Sequence, residues 1–170
     1  IYSMKGKEKS MKQTEQVTNE DIYTIGASLG KLLEVKMQER AAYWIGRNLD
    51  VVEAITKRLN KSRDRLIKKY GDLDDKGNIM VLNFIDKLDD AGNVIKHEDG
   101  RTEKIKNPKV DSFNEEWEAV LSEEITIEYI PIPLSLLTTS KGERIDFSPS
   151  QFRGLGFLFR DIQEVPDGNA

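Results

Sequence analysis

The chain has no cysteine and only one histidine, His97, in 170 residues. Without cysteine there is no disulfide, no thiolate metal site and no cysteine nucleophile. A serine–histidine–acid triad would have to use His97, yet no nucleophile-elbow sequence surrounds any serine. Helical HxxxH or ExxH metal spacings are missing as well. His97, followed by Glu98 and Asp99, reads as a surface residue at a strand end. Apolar residues make up 38% of the chain, below the usual share, while charged residues reach 33%. No apolar run approaches the ~20 residues that a membrane span needs. Glycine-rich phosphate loops are absent too. Gly26-Ala-Ser-Leu-Gly30 lies inside a helical pattern without a P-loop ending, and Gly154-Leu-Gly156 opens no Rossmann unit. Close packing of helices accounts better for both.

The charge that is present is unevenly placed. Residues 1–71 hold fifteen Lys/Arg against nine Asp/Glu, whereas residues 72–170 hold eleven against twenty-one. Either the two halves neutralise each other within one fold, the favoured reading, or copies attract head to tail. Residues 1–17 read as a disordered basic tail with no signal-peptide core, in which Met4 and Met11 both suit an initiation site. Residues 18–165 read as a single domain.

Two amphipathic patterns follow. Ile22, Ile25, Leu29 and Leu32 form one apolar stripe; Ile45, Asn48, Val52, Ile55, Leu59, Ser62 and Leu66 form another, out of phase with the first. Together they predict a long helical hairpin that turns near 34–38. Its first helix is capped at Thr18 or Asn19, and its second ends at Tyr70 with Gly71 as a left-handed cap. Ala41, Ala42 and Gly46 are small enough to admit the first helix.

Beyond Asp72 the period changes. Leu73-Asp-Asp-Lys-Gly-Asn-Ile79 and Leu88-Asp-Asp-Ala-Gly-Asn-Val94 are one turn sequence seen twice, each leading into a β-prone run, 79–84 and 94–97. A β-hairpin across the second turn is the natural reading, with 104–108 as loop. A short helix over 113–122, capped at Asp111 or Ser112, precedes a half-buried strand over 125–129 that stops at Pro131 and Pro133. One helical turn is expected at 135–137, a polar loop at 138–144 and a last helix over 149–159. The tail 166–170 reads as loose. The predicted class is α+β and mainly helical: a long N-terminal helical hairpin, a small antiparallel β element and two shorter C-terminal helices.

Three clusters invite a chemical reading. Asp72-x-Asp74-x-Lys76-Gly77-x-Ile79 resembles the start of an EF-hand loop, but position five is lysine and position twelve is Asn83, so a plain acidic turn is favoured. Glu115, Glu116, Glu118, Glu123 and Glu124 cluster around the 113–122 helix; adjacent helical residues diverge by about 100°, which suits a solvated face rather than a catalytic pair. The basic run Lys57, Arg58, Lys61, Arg63, Arg65, Lys68 and Lys69 contains one acid, Asp64. It suits phosphate contact, but lacks aromatics that would stack on bases, and the chain is acidic, with a pI of 5.2. A surface facing solvent or an acidic partner ranks ahead of nucleic acid. Lys57, Arg58, Lys61, Arg65 and Lys68 are the candidate partner-binding residues; no catalytic, metal or cofactor residue is assigned.

Several segments, taken in order, resemble small uncharacterised proteins of tailed bacteriophages and prophages. They are Leu29-x-x-Leu32, Ala42-Tyr43-x-Ile45-x-Arg47-Asn48, Arg65-Leu66-Ile67-Lys68-Lys69-Tyr70-Gly71, and the turn Asp74-Asp75-Lys76-Gly77-Asn78. Phe113-Asn114-x-Glu116, the 125–132 strand and Ser148-Pro149-Ser150-Gln151-Phe152 complete the series. The likeness covers most of 20–160 as patterning; the lysine-rich start and the 86–103 hairpin are longer than the pattern. It implies a non-catalytic structural or assembly role through protein contacts, with self-association included, in the host cytoplasm or the virion. The alternative is a regulatory binder of a host protein, or of nucleic acid through the basic helix face.

Overall fold

The computed structural model describes residues 12–74 and 76–159. The basic start up to residue 11, Asp75 of the first turn and the 166–170 tail lie outside the described residues. The fold is mixed α+β. The backbone gathers into two compact units. One holds the described residues up to Arg58 and from Ser122 onward; the other is Leu59–Leu121.

The first unit is built on helix α1, Asn19–Leu33, and the first part of helix α2, Glu39–Tyr70. Thr18 caps α1 with a full capping box: its hydroxyl accepts from the Asp21 N–H while Asp21 accepts from the Thr18 N–H. The predicted stripe of Ile22, Ile25, Leu29 and Leu32 is fully buried. Each such side chain removed from water stabilises by about 1.5–3 kcal/mol. On α2 the stripe is buried from Ile45 through Leu59, but Ser62 and Leu66 are only half-buried.

Strand β1, Gln13–Thr18, runs antiparallel to a later strand, Glu124–Tyr129 (β6 in chain order), pairing Val17 with Ile125, Glu15 with Ile127 and Gln13 with Tyr129. The disordered tail expected over 1–17 is therefore wrong for residues 13–17. A polar edge strand shows no alternation of its own; its partner supplies the apolar side chains Ile125, Ile127 and Tyr129. The last predicted helix, 149–159, is also corrected. Only Pro149–Gln151 forms a 3-10 turn. Gly154 then takes φ +75 beside Thr24 and Ile25, and Leu155, Phe157, Leu158 and Phe159 are all buried as an irregular run. Residues buried on every side need no helical period.

Close approach is needed at Gly26, where a Cβ would stand 3.1 Å from Val52, whereas Gly46 faces open space.

The second unit contains the rest of α2, helix α3, Pro108–Ser122, and four short strands: β2 Asp72–Leu73, β3 Ile79–Met80, β4 Phe84–Asp86 and β5 Lys104–Lys106. α3 starts five residues before the expected 113, because Asn107 caps it: its Oδ1 accepts from the Lys109 N–H, with Pro108 at the first helical position. β2 pairs with β3. β4 pairs with β5 in a longer-range ladder, so 104–106 is strand rather than loop; the hairpin expected across the second turn is present, but it is short and bridged at Leu88–Val94 instead of pairing 79–84 with 94–97.

Two small hairpins project from the end of that ladder, bridged at Leu88–Val94 and Lys96–Thr102. At their meeting point three backbone hydrogen bonds close a ring. Lys87 donates to Glu103 at 2.8 Å, Glu103 to Ile95 at 2.9 Å, and Ile95 to Lys87 at 2.9 Å. A Lys87–Glu103 ion pair of 2.6 Å spans the same junction.

The loops share one form. In 74–78, 89–93, 97–101 and, in the first unit, 139–143, the first residue's N–H donates to the fifth carbonyl. The glycine at position four donates back to the first. Each glycine has φ between +80 and +85, the left-handed geometry of a type I turn with a glycine bulge. The polar loop predicted over 138–144 is thus a hairpin bridged at Thr138–Arg144.

Candidate functional site

At about 100° per residue, Lys57, Arg58, Lys61, Arg65 and Lys68 fall within an arc of about 100° on α2, spread over roughly 16 Å of its axis. The buried stripe of Ile45, Asn48, Val52, Ile55 and Leu59 lies on nearly the opposite side. Helical periodicity therefore forces the five cations together once that stripe is buried. All five are exposed, and none forms an ion pair among the described residues. Asp64 sits just outside the arc, beside its Lys57 edge.

Internal neutralisation by the acidic half, the favoured expectation, reaches only Lys69 of the seven-residue run among the described residues. Lys69 Nζ lies 2.5 Å from Glu116 Oε1, which also accepts from the Tyr70 hydroxyl. The bond to Glu116 holds the Lys69 ammonium above the usual lysine range, with Tyr70 adding to it. The Lys69 bond, then the Tyr70 bond, holds Glu116 below the usual carboxylate range.

The EF-hand-like carboxylates are engaged elsewhere. Asp72 accepts from Lys109 at 2.6 Å and from Asn107. Asp74 Oδ1 accepts from the N–H groups of Lys76 and Asn78, and Asp89 Oδ1 from those of Ala91 and Asn93. These bonds, led by those from Asn78 and Asn93, hold both aspartates below their ordinary range. No three His, Asp or Glu side chains converge as a metal ion would need among the described residues. His97 opens the third loop and is exposed.

A second feature was not singled out from the sequence. Of ten exposed large apolar side chains among the described residues, seven lie in the second unit between residues 73 and 105: Leu73, Ile79, Met80, Phe84, Leu88, Val94 and Ile105. Leu73 faces Ile79, and Leu88 faces Val94, across the necks of two equivalent loops. The repeated turn carried the signal, since both copies place Leu before the acids and Ile or Val after the asparagine. No helix among the described residues is long and apolar enough to cross a membrane. Exposed apolar side chains are chemically suited to a protein surface, and an arc of cations to an anionic one. Compared with protein-family models, curated proteins and solved structures, the chain shows no match.

Proposed function

We propose that this chain is a non-catalytic, phage-associated structural or assembly protein that works through protein–protein contacts in the host cytoplasm or the virion. The observation that carries the proposal is the concentration of seven exposed apolar side chains in residues 73–105. Isolated surface apolars need no explanation; seven gathered in one stretch of chain support an interaction surface. The phage association rests on the pattern of segments between 20 and 160. The same reading takes α1 and α2 as the arms of a helical hairpin.

The test is capture from phage-infected cells by the tagged chain, with the triple variant Leu73→Ser, Phe84→Ser, Leu88→Ser as control. Virion proteins retained by the parent and lost from the variant support the reading. Equal recovery by both sinks it.

A second reading has its own support, namely five cations on one helix face without an ion pair among the described residues. In this alternative the chain is a regulatory binder of nucleic acid, or of an acidic host protein, through Lys57, Arg58, Lys61, Arg65 and Lys68. Steep salt-dependent affinity for DNA supports the nucleic-acid form; failure to bind DNA or RNA at low salt eliminates it.

A further inference from the structure

The second unit has almost no interior. Among its described residues only Leu59, at its first position, and Asn107 are buried. Its helix α3 buries no residue, and Phe113, Trp117, Val120 and Leu121 remain half-exposed. Its strands form two-stranded ladders, which are marginal in water without a covered apolar face. A unit of this length is stable only if its apolar surface is removed from solvent.

The unit holds twelve Lys/Arg and fourteen Asp/Glu, interleaved along the chain. Its near-neutral balance leaves little repulsion between like copies. The register of the ladder narrows the seam. Lys87 donates to Glu103, and Asn107 donates to Asn83. Hydrogen-bonded pairs alternate in an antiparallel ladder, so Ile85 and Ile105 form the intervening pair. The backbone groups of Phe84 and Asp86 therefore face outward from β4, and those of Lys104 and Lys106 outward from β5. Two lysines guard the β5 edge, a common device against strand addition. The β4 edge carries Phe84, 59% exposed, and a single charge.

We infer that the second unit extends its two-stranded β4–β5 ladder into a four-stranded sheet by pairing with a second copy of this chain, β4 edge to β4 edge about a two-fold axis. Antiparallel pairing sets Ile85 against its own equivalent and Phe84 against the other copy's Asp86, with no like charges opposed. The interface is isologous and closes at a dimer. The inference rests on the protein-contact reading and names its partner.

The test is sedimentation of the full chain over a range of concentrations, with hydrogen exchange followed residue by residue. A mass rising to two chains, with slowed exchange at Phe84 and Asp86, is the expected result. Phe84→Lys returns the mass to one chain while leaving protection of α1 unchanged, since this side chain is exposed in the single copy. A dimer that survives Phe84→Lys overturns the seam. A single-chain mass with rapid exchange across 72–106 overturns self-pairing and leaves room for a different partner. A single-chain mass with slow exchange there overturns the need for any partner, and with it the protein-contact reading.

Discussion

Asn48 holds Ile130 by both of its backbone groups. Asn48 Nδ2 donates to the Ile130 carbonyl at 2.8 Å, and Oδ1 accepts from the Ile130 N–H at 2.7 Å. The asparagine sits in the middle of the buried α2 stripe, at 3% exposure. Its amide stands in for a neighbouring strand just where β6 has ended at Tyr129.

Replacing Asn48 by Ala strands a buried donor and a buried acceptor. Each orphaned group costs about 1–3 kcal/mol, so a loss of roughly 2–6 kcal/mol is expected. Urea unfolding with an unchanged denaturant slope measures it. A loss below 1 kcal/mol would show that water replaces the amide.

The loop aspartates set an acid dependence. Asp74 and Asp89 have folded pKa values below the ordinary one, because their carboxylates accept turn N–H groups. The unfolded chain therefore binds their protons first as pH falls. Their contribution to stability is complete above the ordinary aspartate range and is lost as pH drops through the lower folded values. Amide shifts of Asn78 and Asn93 should move together in that window. Asp74→Asn and Asp89→Asn should abolish the transition, each at its own loop.

Charge reversal at Arg58, Lys61 and Arg65 touches exposed side chains without ion partners among the described residues, so stability should change by less than about 0.5 kcal/mol. If the arc meets DNA, five phosphate contacts give log affinity against log salt a slope of about −4.5. The reversed variant should lose this binding. Tight binding that survives reversal would move the contact elsewhere.

Gly71→Ala tests why a glycine ends α2. Gly71 does not adopt the left-handed conformation expected of a cap. The β2–β3 hairpin instead returns across it: an added Cβ would meet the Ile67 carbonyl and stand 2.7 Å from Ile79 Cγ2. Overpacking of about 1–3 kcal/mol should fall on the second unit, read as faster exchange in 72–80 with α1 unaffected.

Much of the fold was legible where burial is one-sided. Ile22 to Leu32 and Ile45 to Leu59 repeat with helical spacing because one face of each helix meets a core, and the break at 34–38 shows as a loss of phase. The strand at 125–129 alternates for the same reason. Legibility failed where pairing came from far along the chain. Gln13–Thr18 is polar and becomes a strand through residues more than a hundred positions away, and Lys104–Lys106 pairs back to Phe84–Asp86.

The loops show a subtler limit. Asp74 and Asp89 announce their turns, but His97–Arg101 lacks the leading aspartate. Thr139–Glu143 replaces it with a threonine, whose hydroxyl accepts from the Lys141 and Glu143 N–H groups. The glycines at 92 and 100, eight apart, were the available sign. The basic arc was readable as a helix face; whether an acidic partner covered it depended on tertiary contacts.

The ring joining Lys87, Ile95 and Glu103 has a consequence for how this region tolerates change in length. Each of the two hairpins leaves the ring with its own turn and its own bridge, so residues added beyond one bridge leave the register of the other hairpin and of the stem intact. Insertions at 90–92 or 98–100 would lengthen one finger alone. The junction works as a socket from which loops of different reach can be grown independently, while the stem that carries them stays the same.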